Sequence, residues 1–126
     1  LLSQDKHLVS VVESSFALIK NGEVRTRIVK SEGIALSFFL PSTVLEIAYR
    51  KGGERIKMFG RPVKSLKKIF NEDRVPPWVR ETLPLIYLDG QLAFVPGFGA
   101  DEKFMPAIGE YGRVYDWDSP ATVLEV

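Results

Sequence analysis

The chain has 126 residues and a mass of 14.2 kDa, with 45% hydrophobic and 26% charged residues; this is the make-up of one globular domain able to bury a core without staples. It has no cysteine and one histidine, which excludes a disulfide framework, a thiolate nucleophile, a cysteine–zinc cluster and a multi-histidine metal site, and no apolar run reaches the ~18 to 20 residues that span a bilayer. The net charge of +1 hides an asymmetry: residues 50–80 carry ten Lys and Arg against Glu54, Glu72 and Asp73, a local balance of +7, which leaves −6 for the rest.

In chain order, residues 15–20 and 23–29 flank Asn21-Gly22 and predict a β-hairpin, because a two-residue turn needs positive φ at both central positions. Val24, Thr26 and Ile28 fall on one face of the second arm, Arg25 and Arg27 on the other. Gly33 breaks that arm. Residues 34–40 then predict an apolar strand ended by Pro41, and residues 42–50, β-branched and aromatic, predict another. Gly52-Gly53 marks a turn before a short strand over 55–59, closed by Gly60-Arg61-Pro62. Ser65 is the expected cap of a helix through Leu66, Ile69 and Phe70, one buried stripe with Lys64, Lys67 and Lys68 off it. Pro76-Pro77 breaks the chain and starts a second short helix over 78–83, which Pro84 ends. Segments 85–88 and 91–95 flank Asp89-Gly90, a second hairpin signal. From residue 100 the pattern weakens. Six acids against Lys103 and Arg113, with Tyr111, Tyr115 and Trp117, read as a tail with one or two short strands packed back on the sheet. The sum is an α+β domain of mostly antiparallel strands with a short helical pair inserted.

Catalytic constellations are thin. A serine or threonine nucleophile usually needs a nearby base, and the one histidine, His7, sits near the N-terminus, where a solvated side chain is the plainer reading. The carboxylates of Glu72-Asp73 and of Asp116 and Asp118 fall outside any metal-loop pattern. Gly52-Gly53 lacks phosphate-loop spacing, and Gly97-Phe98-Gly99 continues as Ala-Asp-Glu without a third glycine in register; turns explain both. No metal, no cofactor and no self-contained active site is expected.

The basic stretch differs in kind. Its cations, Arg50, Lys51, Arg55, Lys57, Arg61, Lys64, Lys67, Lys68, Arg74 and Arg80, alternate with turns and helix starts. Such groups neutralise phosphates and release counterions on binding a polyanion. The plain alternative is a solvated surface whose acids come from elsewhere in the fold. Phe70 and Trp78 offer rings for base stacking, but beside Pro76-Pro77 and Leu83 they are expected to pack in the core.

The run Arg50-Lys51-Gly52-Gly53-Glu54-Arg55-Ile56, then Gly60-Arg61, Lys64-Ser65-Leu66-Lys67-Lys68, Phe70, and Val75-Pro76-Pro77-Trp78-Val79-Arg80 through Leu83-Pro84-Leu85 resembles the C-terminal domain of bacterial tRNA(Ile)-lysidine synthetases. The likeness continues through Asp89-Gly90 to Val95 and Gly97, covering residues 46–97. It divides the chain into a β-rich connecting region (1–45), a core (46–99) and an acidic extension (100–126) that matches nothing in the family pattern.

The resemblance implies a fragment of a longer enzyme, in keeping with a start at Leu1-Leu2-Ser3 without methionine or signal peptide. The family's enzymes use ATP to adenylate the wobble cytidine of a minor isoleucine tRNA, and lysine then displaces AMP. That chemistry belongs to an N-terminal ATP-pyrophosphatase domain with a Ser-Gly-Gly-x-Asp-Ser loop, using ATP with Mg; Lys51-Gly52-Gly53-Glu54 lacks the first serine and the Asp-Ser pair. The fragment alone is therefore not expected to ligate lysine. The implied partners are tRNA, held near its acceptor stem, and the catalytic N-terminal domain, with a homodimer as a further option; the implied location is cytoplasmic. The fold implied is an α+β domain with a β-sandwich-like core, as in the phenylalanyl-tRNA synthetase β-subunit.

Arg61, Lys64, Lys67 and Lys68 are the first expected phosphate contacts, followed by Arg50, Lys51, Arg55 and Arg80. A helix starting at Ser65 would add anion affinity at its positive end. The glycines are expected to serve backbone geometry, Trp78 to lock the helices onto the sheet, and Glu54 to pair with a nearby arginine. The rival reading is a structural or dimerisation module in which the basic stretch touches no RNA.

Overall fold

Asp89 and Gly90 both adopt positive φ, 47° and 81°, the backbone of a type I′ turn, which matches the twist of the strands it joins. The hairpin they close is built into the middle of the molecule. A computed structural model describes residues 22–118 and the backbone of two strands before them. Those two are β1 (Lys6–Val9) and β2 (Phe16–Ile19); β3 (Gly22–Lys30), β4 (Ile34–Ala35) and β5 (Leu45–Ala48) follow. A short ribbon of β6 (Arg55–Ile56) and β7 (Lys64–Ser65) leads into helices α1 (Leu66–Glu72) and α2 (Pro77–Thr82). The hairpin strands are β8 (Leu85–Leu88) and β9 (Gln91–Val95), and β10 (Gly99–Ala100) and β11 (Tyr111–Asp118) complete the order.

The strands form a five-stranded sheet, β1-β5-β8-β9-β10, a four-stranded sheet, β2-β3-β11-β4, and the β6-β7 ribbon, with antiparallel pairing throughout. The α+β expectation holds. Alternation along the strands makes the five-stranded sheet the middle layer. Leu45, Ile47, Ile86 and Leu88 face Val24, Ile34 and Tyr115 of the other sheet, while Leu85 and Val95 face Leu66, Phe70 and Leu83 of the helical layer. A register shift between Ile86 and Tyr87 leaves Ala93 as an extra residue in β9, a bulge that increases local twist.

Several expectations need correction. Gly22 opens β3 with φ 118° and pairs with Ile19, so it is a strand residue rather than the second turn residue; Asn21 lies outside the described residues. Residues 34–40 are not one strand. Only Ile34 and Ala35 pair, and Leu36–Phe38 forms a 3-10 turn. The reason is local: the Thr43 hydroxyl donates to Phe38 O at 2.8 Å and accepts from Leu40 N–H at 3.0 Å, closing a loop that leaves Leu36, Phe38 and Leu40 exposed. The strands over 42–50 and 55–59 shorten to β5 and β6, and Ile28 is exposed although Val24 on the same face is buried. In the C-terminal stretch β11 is eight residues long and pairs with both β3 and β4; residues 119–126 lie outside the described residues.

Close approach of β4 and β11 rests on two glycines. A Cβ on Gly112 would lie 1.9 Å from Glu32 O, and one on Gly33 2.3 Å from Arg113 O. Only hydrogen fits at either position.

Tyr115 carries β11 into the core, and burial pushes its phenol up to about 12 against the pull of the Arg113 guanidinium. The unfolded chain releases that proton near pH 10, so stability is intact below pH 10 and falls as pH rises toward 12, by about 2 to 3 kcal/mol in all. Urea denaturation at pH 9 and pH 11.5 should show a larger alkaline loss for the natural chain than for Tyr115→Phe. Equal losses would show that this phenol does not carry the effect.

No helix among the described residues is long and apolar enough to cross a membrane.

Candidate nucleic-acid interface

The basic stretch folds as a strand–loop–strand–helix unit on the helical side of the middle sheet. Ser65 caps α1 through its hydroxyl, which accepts from Lys68 N–H at 3.1 Å, an interaction worth about 1 kcal/mol. Leu66 N–H donates to Glu54 O at 2.9 Å. In this seven-residue helix the N–H groups of Leu66 and Lys68 are thus already engaged within the chain. Leu66 and Phe70 are buried and Ile69 half-buried, as the spacing predicts, while Lys67 and Lys68 are exposed. At the far end Arg74 adopts φ 55°, and Val75 N–H reaches back to Phe70 O at 2.9 Å. This is a left-handed helix stop of the kind glycine usually makes.

Glu54 does not pair with an arginine. Its carboxylate accepts from Lys51 N–H at 2.7 Å and Gly52 N–H at 3.0 Å. Two successive N–H groups at this turn, those of Lys51 and Gly52, are thus held by the chain's own anion rather than left for a phosphate.

The ten cations separate into two sets. Arg50 and Arg80 turn inward, each guanidinium 5.9 Å from the Phe70 ring centroid; Arg80 also donates to Val75 O at 2.6 Å and Asn71 Oδ1 at 2.8 Å. Lys57 pairs with Glu102, whose carboxyl is lowered by that hydrogen bond, and Lys64 pairs with Glu72 at 3.0 Å. Arg61, Lys67 and Lys68, with Lys51, Arg55 and Arg74, are exposed and make no ion pair among the described residues. The acids of the C-terminal stretch are mostly engaged elsewhere: Asp116 holds Arg27 at 2.7 Å, and Asp118 lies 3.4 Å from Arg25. Among the described residues, the solvated-surface alternative, in which acids from elsewhere neutralise the stretch, therefore holds for Lys57 but not for Arg61, Lys67 or Lys68.

The 57–63 loop is fixed at its base and open at its tip. Buried Asp101 accepts from Lys57 N–H at 3.1 Å and Lys103 N–H at 3.1 Å, and Glu102 N–H donates to Lys57 O at 2.8 Å. A turn from Met58 to Arg61, closed at 3.0 Å, then holds Phe59 73% exposed. Between this loop and α1 lies a cleft of about 430 Å³ lined by Arg61 and Lys64, with Ile69, Glu72, Asp73 and Phe98 opposite. Lys51 borders a separate cavity of about 170 Å³ beside Glu46 and Tyr87, so the sequence-predicted cations are not all brought to one place.

One aromatic ring departs from what the sequence suggests. Phe70 is core, as expected, but Trp78 is 70% exposed and locks nothing onto the sheet. A signal for this exists in the sequence: Val75, Val79 and Leu83, four apart, put the apolar positions before, within and after α2 on one side, and Trp78 falls beside that line. Phe59, between a strand end and a glycine, carries no such signal. Among the described residues no group of three or more His, Cys, Asp and Glu is arranged to hold a metal ion, and of His7 only the strand position, opposite Ile47, is described.

Comparison with known proteins bears on this surface. A family model described as the TilS substrate C-terminal domain matches residues 45–117, from β5 through most of β11. A tRNA(Ile)-lysidine synthase of Legionella pneumophila (strain Paris) is 48% identical over 60 residues, 48% of this chain and 14% of that protein. One from Nitrosomonas europaea is 43% identical over 79 residues, 62% of this chain and 17% of that protein. The chain thus spans less than a fifth of the length of these relatives. The solved structure described as "Crystal structure of TILS C-terminal domain" superposes with a TM-score of 0.66 at 19% identity, over 91% of this chain and 98% of that one, a likeness of fold.

Proposed function

The chain belongs to the TilS substrate C-terminal domain family, and on that premise we propose that it is the tRNA-holding part of a longer tRNA(Ile)-lysidine synthase. In this reading the parent enzyme works in the cytoplasm and converts the wobble cytidine to lysidine with ATP and Mg bound in its catalytic N-terminal domain. The present chain grips the tRNA near its acceptor stem. The observation that carries the reading is the set of outward cations, Arg61, Lys67 and Lys68, that the fold leaves without carboxylate partners among the described residues. An acceptor stem is A-form RNA whose deep groove side chains do not read, so phosphate and shape contacts dominate. Arg61 on a braced loop suits such contacts, since a guanidinium grips a phosphate with two parallel hydrogen bonds. Lys64, Arg55 and Lys51 extend the field, whereas Arg50 and Arg80 support it from beneath by packing on Phe70.

The test is tRNA binding by the chain, followed by fluorescence anisotropy across a salt series. Affinity should fall steeply with salt. Arg61→Glu/Lys67→Glu/Lys68→Glu should weaken it by about 100-fold and flatten the salt slope by roughly one unit for every phosphate no longer neutralised. Lys30→Glu, a single reversal of the same kind on exposed β3, should leave binding within about twofold. Equal affinities for the triple variant and the natural chain would sink the assignment.

A second reading has its own observation: Leu36, Phe38, Leu40 and Val44 expose apolar side chains along one loop, which suits an interface with the catalytic domain or a second copy. Concentration-dependent sedimentation without RNA affinity would favour it.

A further inference from the structure

We propose that the cleft between the 57–63 loop and α1 takes a single unpaired nucleotide, its base inside and its phosphate on Arg61. The proposal rests on the reading of the chain as a tRNA-holding domain and adds a part of the RNA that a purely electrostatic grip ignores. The cleft, about 430 Å³, falls within the range of small-ligand sites, and its lining is mixed in a way phosphate contacts alone do not require. Met58, Ile69 and Phe98 give it apolar walls, and Phe98 is braced by Phe70 at a ring separation of 5.6 Å. Phe59 stands at its rim with most of its surface in water. An aromatic ring held outward on a turn whose base is tied to Asp101 and Glu102 is a preformed stacking platform, and stacking on such a ring accepts any base.

The polar end of the cleft supplies what an unpaired base needs. Lys64 Nζ and the Glu72 carboxylate lie 3.0 Å apart on the lining, a donor beside an acceptor. The ammonium has three protons and the carboxylate several lone pairs, so each keeps capacity for a ligand after pairing with the other. Every base presents a donor next to an acceptor on its Watson–Crick edge, and that edge is open only when the base is unpaired. Arg61, exposed at the rim, meets the phosphate that follows such a base. The occupant is thus single-stranded RNA, such as the unpaired 3′ end beyond an acceptor stem, rather than duplex.

The experiment separates base from backbone. The whole chain is titrated with a four-nucleotide cytidine ribo-oligonucleotide and with an abasic oligomer of the same length and charge, and then with tRNA carrying or lacking its single-stranded 3′ nucleotides. The base-bearing oligomer should bind about tenfold or more tighter than the abasic one, and removing the 3′ nucleotides should weaken tRNA by a similar factor. Phe59→Ala, a change at an exposed position, should abolish both differences, while Trp78→Ala should leave them. Equal binding of the two oligomers would overturn the base pocket even with tRNA binding intact. A difference that vanished with Trp78→Ala and survived Phe59→Ala would move the base elsewhere and overturn it too. Absence of tRNA binding altogether would bring down the proposed function, and the pocket with it.

Discussion

Gly112→Ala should destabilise the chain by about 3 kcal/mol or more, against a typical total of ~5 to 15 kcal/mol. The added methyl would fall 1.9 Å from Glu32 O and 3.1 Å from Ile34 O. Both neighbours are main-chain atoms, so no side chain can swing aside. Relief requires β11 to move away from β4 and the turn before it. Since β11 lies between β3 and β4 and carries Tyr115 inward, the shift would loosen the core between the sheets. Gly109→Ala separates sterics from backbone strain: Gly109 has φ 91° but nothing within 4 Å of its Cβ position, so about 1 kcal/mol is expected there. Chemical denaturation of the two variants decides the matter. A Gly112→Ala loss no larger than that of Gly109→Ala would show that the strands yield cheaply.

Phe70→Ala should cost about 3 to 5 kcal/mol. The ring is fully buried, packs on Phe98 and lies under two guanidinium groups. Removing it opens a cavity and also takes away the aromatic partner of Arg50, whose Nε is buried with no hydrogen-bond partner among the described residues. Phe70→Leu keeps most of the volume but not the π face, so it should fall between, at roughly 1 to 3 kcal/mol. Comparing the two by urea denaturation apportions packing and cation–π attraction. A leucine variant as stable as the natural chain would mean that the arginines gain nothing from the ring.

How far these features can be read from sequence depends on how local their causes are. Ser65, Pro77 and Asp89-Gly90 act through their own backbone neighbours, and the cap, the helix start and the turn all appear where expected. The 34–40 run departs from a strand because its apolar residues signal burial, whereas Thr43 folds it into an exposed loop. The register of β2 on β3 differs by two positions, Glu23 pairing with Leu18 rather than with Lys20, because strand pairing, not the turn dipeptide, fixes it. The extent of β11 has no sequence signal, since its partners come from the opposite end of the chain. At the interface the cations are legible but their division is not: only the fold reveals that Arg50 and Arg80 point to Phe70 and that Glu54 caps a turn.

The position of β11 also governs how the polypeptide matures during synthesis. Tyr111 pairs with Lys30 and Asp118 with Glu23, so the last described strand fills the gap between two that emerge from the ribosome far earlier. Until residue 118 has left the exit tunnel, β3 and β4 have no shared neighbour, and the strand edges that β11 pairs with stay open. Non-local closure of this kind is slow, and nascent chains stalled before β11 should be the ones most readily cut by protease and most in need of a chaperone.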